Sequence, residues 1–199
     1  MAESTSLTCR LLLDEGIQSI SSAEKRIILE NVIIESFWQG HTHAVQNGGS
    51  PYNEAQANAF VDEYPRKLED YLSTTDVAIL IYENGRLIAT SFLAKGEQPD
   101  EPIQGSKKYF FWGNYVHPDY KRRGIGTYVM EIMKFIAKYK GINLLPALAV
   151  DLPSTIDFYK SHGFEVSDPV SRTLKVNDRI TGQPIEVEFP FYPITLHLS

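Results

Sequence analysis

One cysteine, Cys9, stands among 199 residues, so an internal disulfide is excluded and a reducing compartment is compatible with the chain. No stretch approaches the ~18 to 20 apolar residues that a membrane-spanning helix needs. The opening MAESTSLTCRLLLDEG has an early acid and only a short apolar cluster, which is the wrong pattern for a secretory signal. No membrane partner and a cytoplasmic location are therefore expected. Positive charge is in deficit, with 19 Lys and Arg against 25 Asp and Glu and a formal net charge of -6. That balance gives no general grip on a phosphate backbone, so nucleic acid is not expected as a partner. His41 and His43 alternate without a cysteine or third histidine nearby, too little for a zinc site, and no metal is expected. Internal repeats and linkers are missing too. Roughly 100 to 200 residues is the usual span of one core, so residues 1–199 are expected to form a single domain.

What is present is ordinary for a folded chain: 43% apolar and 22% charged residues. Leu7 to Leu13 alternates as a strand. Ser21 and Glu24 have capping-box spacing, and the apolar period that follows predicts a helix to about Phe37 or Trp38, ending near Gly40. Gln39 to Asn53 reads as a loop. A helix from Glu54 is expected to break at Pro65. Val77 to Tyr82 and Leu87 to Ala94 flank Asn84-Gly85, a hairpin turn. After a polar loop from Lys95 to Lys107, Tyr109 to Val116 is a strand that Pro118 ends. A helix from about Gly126 to Lys140 stops at Gly141, Ile142 to Val150 is a strand, and a short helix runs from Pro153 to Gly163. Phe164–Val166, Arg172–Val176, Ile185–Phe191 and Ile194–Leu198 complete the strands. The order predicts a mixed α/β fold: a mostly antiparallel twisted sheet with flanking helices and one parallel junction around the Gly126 helix.

The informative run is NYVHPDYKRRGIGTYVMEIMKFI, Asn114 to Ile136, in which a strand passes through a basic, glycine-bearing turn directly into an amphipathic helix. Free N–H groups at such a helix start bind phosphate, Gly124 and Gly126 let the backbone come close, and Arg122 and Arg123 add positive charge. A diphosphate suits it. A nucleotide P-loop would require Lys then Ser or Thr after the glycines, which Gly124, Ile125, Gly126, Thr127 does not supply. A dinucleotide fingerprint would require a small residue where Val129 stands, although Asp151 follows at a tolerable distance. A glycine kept only for helix packing is the remaining alternative.

The segment resembles the acyl-CoA signature of the GNAT superfamily of N-acetyltransferases, an Arg or Gln followed after two residues by Gly-x-Gly or Gly-x-Ala. Lys121, Arg122, Arg123, Gly124, Ile125, Gly126 fills that frame, and Val116-His117-Pro118 precedes it as a Val-x-Pro. Lys121 departs from the usual first residue, keeping charge but losing the guanidinium fork. After one helix and one strand, Phe158, Tyr159, Gly163 and Phe164 resemble the family's Phe-Tyr-x-x-x-Gly-Phe segment, with Asp151 and Ile156 standing where Asn and Ala are common. The resemblance is good over Asn114 to Phe164, extends back to Val77, and leaves residues 14–76 as acceptor-side helices and loop. It also accounts for Pro146, because the family's fourth and fifth strands splay apart and a proline costs little beside the gap.

The resemblance implies acetyl-CoA, or a related acyl-CoA, as co-substrate, and transfer to a primary amine of a small molecule or peptide by direct attack. The backbones of Tyr115 and Val116 would pair with the pantetheine arm, and the N–H groups from Arg122 through Arg123, Gly124, Ile125 and Gly126 to Thr127 would hold the pyrophosphate, with Lys121 beside them. Tyr159 would be the general acid. For the base, Glu97, Glu101, Glu35, His117, and Asn114 through a water stay open, with His117 carried as a catalytic candidate. Phe37 and Trp38 either wall an acceptor site or pack on the sheet, and Trp112 reads as core. The acidic balance favours a cationic acceptor. The last strands either complete the sheet or pair a homodimer. An acyl-CoA-binding regulator with little transferase activity, and a nicotinamide or nucleotide enzyme, are the alternative functions.

Overall fold

The computed structural model describes residues 6–47, 52–96, 109–150, 152–177, 179 and 181–198. The first sheet is a meander of β1 (Leu7–Leu13), β2 (Thr75–Glu83), β3 (Arg86–Lys95) and β4 (Tyr109–Val116) in that order, every pair antiparallel. The β2–β3 turn is the expected one: Asn84 and Gly85 have φ of 50° and 80°, the two left-handed residues of a tight turn whose twist matches its strands. Both faces of β2 and β3 are buried. Val77, Ile79 and Ile81 face a core shared with α4 (Ile125–Tyr139), while Ala78 and Leu80 face the N-terminal helices.

Those helices run further than the sequence predicts. The Ser21–Glu24 capping box starts α1 (Ser22–Ile27), a π-helical stretch spans Ile28–Ile34, and α2 (Glu35–Gln46) continues straight through Gly40. The expected stop at Gly40 and most of the expected Gln39–Asn53 loop are thus corrected. A Cβ on Gly40 would sit 2.7 Å from Leu152 Cδ1, so this glycine serves close packing and not termination. A second correction concerns α3 (Glu54–Thr74), which starts at an Asn53–Gln56 capping box and passes Pro65 unbroken. Proline in a helix costs about 3 kcal/mol, but Ala57, Phe60, Leu68, Tyr71 and Leu72 are buried along the same helix, and full burial of one large apolar side chain returns about 1.5 to 3 kcal/mol. The ring of Pro65 faces solvent, where it displaces nothing.

The second sheet has β5 (Leu144–Val150) beside β8 (Pro184–His197), with β6 (Glu165–Val166) and β7 (Val170–Asn177) on the far side of β8, again all antiparallel. Helix α5 (Pro153–Ser161) links β5 to β6. The two expected C-terminal strands are one. β8 pairs with β7 up to Phe191 and with β5 from Phe191 onward, and Pro190 and Pro193 straddle that change of partner. Residues that cannot donate a ladder bond sit where the ladder is being exchanged. These strands therefore complete a sheet within the chain.

No parallel pair occurs among the described residues. The expected parallel junction falls where β4 passes through α4 to β5, and there the two strands lie side by side without joining in one hydrogen-bonded sheet. A bulge in β4 helps to set this. Thr90 pairs with Tyr115 but Phe92 with Trp112, so β4 spends one extra residue at Gly113–Asn114. Gly113 has φ of 61°, Thr90 Oγ1 donates to its carbonyl at 2.8 Å, and a Cβ there would lie 2.6 Å from Phe92 Cδ2. Gly113→Ala is accordingly expected to cost about 2 to 5 kcal/mol, from left-handed strain plus overpacking, and to lower Tm on the order of 10 °C in a thermal melt. An unchanged melt would mean that the bulge is not fixed by this residue.

Candidate functional site

The seam between β4 and β5 opens into a cavity of about 570 Å³. One end is built by the segment that joins β4 to α4. After a helical turn at Pro118–Tyr120, Arg122 (φ 62°) and Gly124 (φ 78°, ψ 0°) both adopt left-handed backbone, and α4 begins at Ile125 with no side-chain cap. Free N–H groups at an uncapped helix start, preceded by left-handed turns, form an anion-binding concavity. An arginine in the left-handed region is a strained position at a candidate site, where such strain concentrates. Nothing lies within 4 Å of a Cβ built on Gly124, so the requirement there is conformational. At Gly126 the requirement is space, since a Cβ would meet Phe158 at 3.3 Å and Val116 at 3.6 Å.

Tyr115 and Val116 line the seam, and Lys121, Arg122, Gly124, Gly126 and Thr127 line its basic end. Ser36 Oγ donates to the Val116 carbonyl at 3.1 Å, tying β4 to α2. Lys121 Nζ donates to the Ser36 carbonyl at 3.4 Å, and burial draws its pKa down. Two members of the expected set point elsewhere. The Arg123 guanidinium is paired with Glu83 and stands 5.0 Å from the Tyr120 ring centroid, while Ile125 is buried in the α4 core. Their side chains are outside the cavity lining.

Tyr159 on α5 lines the same cavity and is only 7% exposed, wedged edge-on against Phe111 and Phe164 with centroids 5.8 and 5.2 Å away. Burial pushes its phenol up to about 12, opposed by a hydrogen bond from the Asn114 side chain. Asn114 Oδ1 is itself buried and has no partner among the described residues. Tyr64 on α3 and Tyr115 on β4 are hydrogen-bonded, and burial raises both phenols. All three are proton donors, not phenolates, at neutral pH.

His117, carried as a catalytic candidate, is not brought to this cavity. It is 5% exposed, its Nε2 lies 2.9 Å from Arg86 Nη2, and its Nδ1 faces Asp119, 3.3 Å from N and 3.7 Å from Oδ2. Burial, and then the Arg86 charge, lower the imidazole pKa and keep the ring neutral. Glu35 is exposed and accepts from Gln39 at 3.3 Å, while Glu97, Glu101 and Asp151 lie outside the described residues. Trp112 is buried, stacked 4.3 Å from Phe92, with Nε1 donating to Thr75 Oγ1 at 3.1 Å. His41 stacks on Phe37, and His43 borders the cavity.

The cavity lining also contains residues that sequence reasoning passed over. Glu63, Tyr64, Lys67 and Tyr71 project from α3, and Arg172 and Phe191 come from β7 and β8. The first group has i, i+3, i+4 spacing on one helix face, a usable signal. Gly113, isolated inside a strand pattern, was another. Arg172 and Phe191 gave no local sign, because a change of partner along β8 places them there.

A sheet parted between its fourth and fifth strands, with left-handed turns where the fourth runs into a helix, is the arrangement expected from the resemblance to the N-acetyltransferases. Residues 75–166 match the family model described as acetyltransferase (GNAT) domain. The fold is similar to a GCN5-related N-acetyltransferase from Rhodopseudomonas palustris (18% identity over 100% of this chain and 99% of that one, TM-score 0.59). It is equally similar to a PaiA N-acetyltransferase from Thermoplasma acidophilum in complex with coenzyme A (16%, 96% and 99%, TM-score 0.59). An IAA acetyltransferase from Bacillus cereus is a third likeness (13%, 97% and 100%, TM-score 0.54). No curated protein sequence matches the chain.

Proposed function

We propose that this chain transfers an acetyl group from acetyl-CoA to a primary amine by direct attack within a ternary complex. The observation that carries this reading is the β4–β5 seam, with the Arg122–Thr127 cradle at one end and the buried Tyr159 phenol facing the same cavity. The pyrophosphate takes the N–H groups of the cradle, and the pantetheine arm lies as a pseudo-strand along Tyr115 and Val116. The thioester then points at Tyr159. The amine nitrogen attacks the carbonyl carbon, the C–N bond forms as the C–S bond breaks, and Tyr159 gives its proton to the departing sulfur. Alignment inside the seam supplies much of the rate, because it replaces a bimolecular encounter with a positioned one. Glu63 is the carboxylate among the described lining residues, 3.3 Å from Lys67, and takes the amine proton directly or through water. The neutral, enclosed His117 acts here as a strut between Arg86 and the Pro118–Tyr120 turn, not at the reacting atoms. A single domain over residues 1–199 belongs to this reading, supported by β8 joining β5 to β7.

Calorimetric titration with acetyl-CoA, using NADH and ATP as controls, tests it. Selective one-to-one binding of acetyl-CoA, followed by amine-dependent release of free thiol, is the expected result. A folded sample that binds NADH or ATP in preference, or none of the three, would sink it.

A further inference from the structure

The inward face of β7 carries an arginine where apolar residues are the rule. Leu174 and Val176 are buried on that face, while Ser171 and Thr173 alternate outward and donate to the Glu188 carboxylate. Arg172 shares the alternation of Leu174 and Val176. Its Nε and Nη2 are buried and have no hydrogen-bond partner among the described residues. Those two nitrogens form one edge of the guanidinium, whose parallel N–H bonds match a pair of oxygens on a single anionic group. The nearest support is the Phe191 ring, 5.7 Å from Cζ, which can hold the planar group but accepts no proper hydrogen bond.

Three carboxylates on the neighbouring elements are already committed. On α3, Asp62 pairs with Arg179 at 2.7 Å and Glu63 with Lys67 at 3.3 Å; on β8, Glu188 takes Ser171 and Thr173. Arg172 nevertheless lines the cavity that Tyr159 faces, and with Lys67 it also borders a smaller cavity of about 240 Å³. A buried pair of charged donors with no acceptor among the described residues is a place where a ligand's anionic group would be well received.

We propose that Arg172 is the specificity residue for the acceptor: it binds an anionic group with paired oxygens, a carboxylate or a phosphate, on the molecule whose amine is acetylated. The side chain swings from the Phe191 ring to present its Nε–Nη2 edge, and the amine lies toward Glu63 and Tyr159. The acceptor is then charged at both ends, and not the simple cation that the net charge of -6 suggests. This inference rests on the amine-acetylation reading above.

The test measures thiol release from acetyl-CoA with four acceptor sets: amino acids, the same amino acids as primary amides, aminoalkyl phosphates, and the matching amino alcohols. In the unaltered protein one anionic set should exceed its neutral counterpart by about tenfold or more in kcat/KM, the size expected for a lost buried charged contact. The set that does so distinguishes carboxylate from phosphate. Arg172→Gln should bring that ratio close to one, mainly through KM, with acetyl-CoA affinity retained; Arg172→Lys should restore part of it. Arg172→Met serves if the glutamine variant does not fold. Equal use of charged and neutral acceptors, a ratio that survives the substitution, or acetyl-CoA binding with no acetylation of either anionic set would overturn the proposal while leaving the cofactor reading intact. Failure to bind acetyl-CoA at all would remove both.

Discussion

Tyr159→Phe should lower kcat by about a hundredfold or more while the dissociation constant for acetyl-CoA stays within a few-fold, since a positioned proton donor contributes 10²–10⁴ in rate and little to ground-state binding. The phenol hydroxyl is the only group removed. The ring continues to pack against Phe111 and Phe164, so the fold has no reason to change. The pH profile separates chemistry from packing. A buried phenol pushed up to about 12 is fully protonated well beyond the usual tyrosine value of 10. Turnover that depends on this proton should therefore persist to about pH 10 and fall only as pH approaches 12, because the raised pKa extends the acid form upward. Stopped-flow or steady-state rates across that range, compared with the phenylalanine variant, give the answer. Equal kcat for the two proteins at every pH would return Tyr159 to the status of a packed ring.

Gly124→Val should weaken acetyl-CoA binding by about a hundredfold or more and leave α4 in place. The left-handed conformation at Gly124 costs a β-branched residue the most of any, so the backbone will relax and turn the following N–H groups away from one centre. The helix survives because Val129, Met130, Met133 and Ala137 remain buried in the core. Gly124→Asn is the informative companion. Asparagine tolerates left-handed backbone, and no atom lies within 4 Å of the position its Cβ would take. If conformation is what the cradle needs, asparagine should bind acetyl-CoA within several-fold of the unaltered protein; equal loss in both variants would point to a ligand that sits against the glycine itself.

Local signals were legible where one short segment decides the structure. Asn84-Gly85 determines its own turn, the Ser21–Glu24 box starts its own helix, and the basic glycine turn before α4 carries its chemistry in its own backbone. The unreadable features were those whose meaning depends on a distant neighbour. Gly40 looks like a stop until Leu152 is seen packed against it, and Pro65 looks like a break until the burial on the rest of α3 is weighed. Pro190 and Pro193 look like strand ends until β8 is seen to change partners between them. The same division runs through the site. The end of the cavity at the start of α4 comes from one continuous segment, the one expected to hold the cofactor, with Arg123 and Ile125 facing elsewhere. Other parts of the lining are assembled from α2, α3, β7 and β8, and Arg172 becomes part of it only when strands far apart in sequence meet.

The pairing of β5 with β8 also bears on how the chain is made. Residues 144–150 leave the ribosome ahead of their ladder partner at 191–197, and the seam side of β5 has no strand to join among the described residues. Until residues 191–197 have emerged, Leu-Leu-Pro-Ala-Leu-Ala-Val is an apolar strand without its ladder partner, the kind of segment that joins copies of itself. Pro146 interrupts any such ladder at its centre, at a position where β8 tolerates it opposite Thr195. A residue that looks like a flaw in the mature strand is thus a safeguard for the nascent one, and β5 gains its ladder only once β8 has emerged.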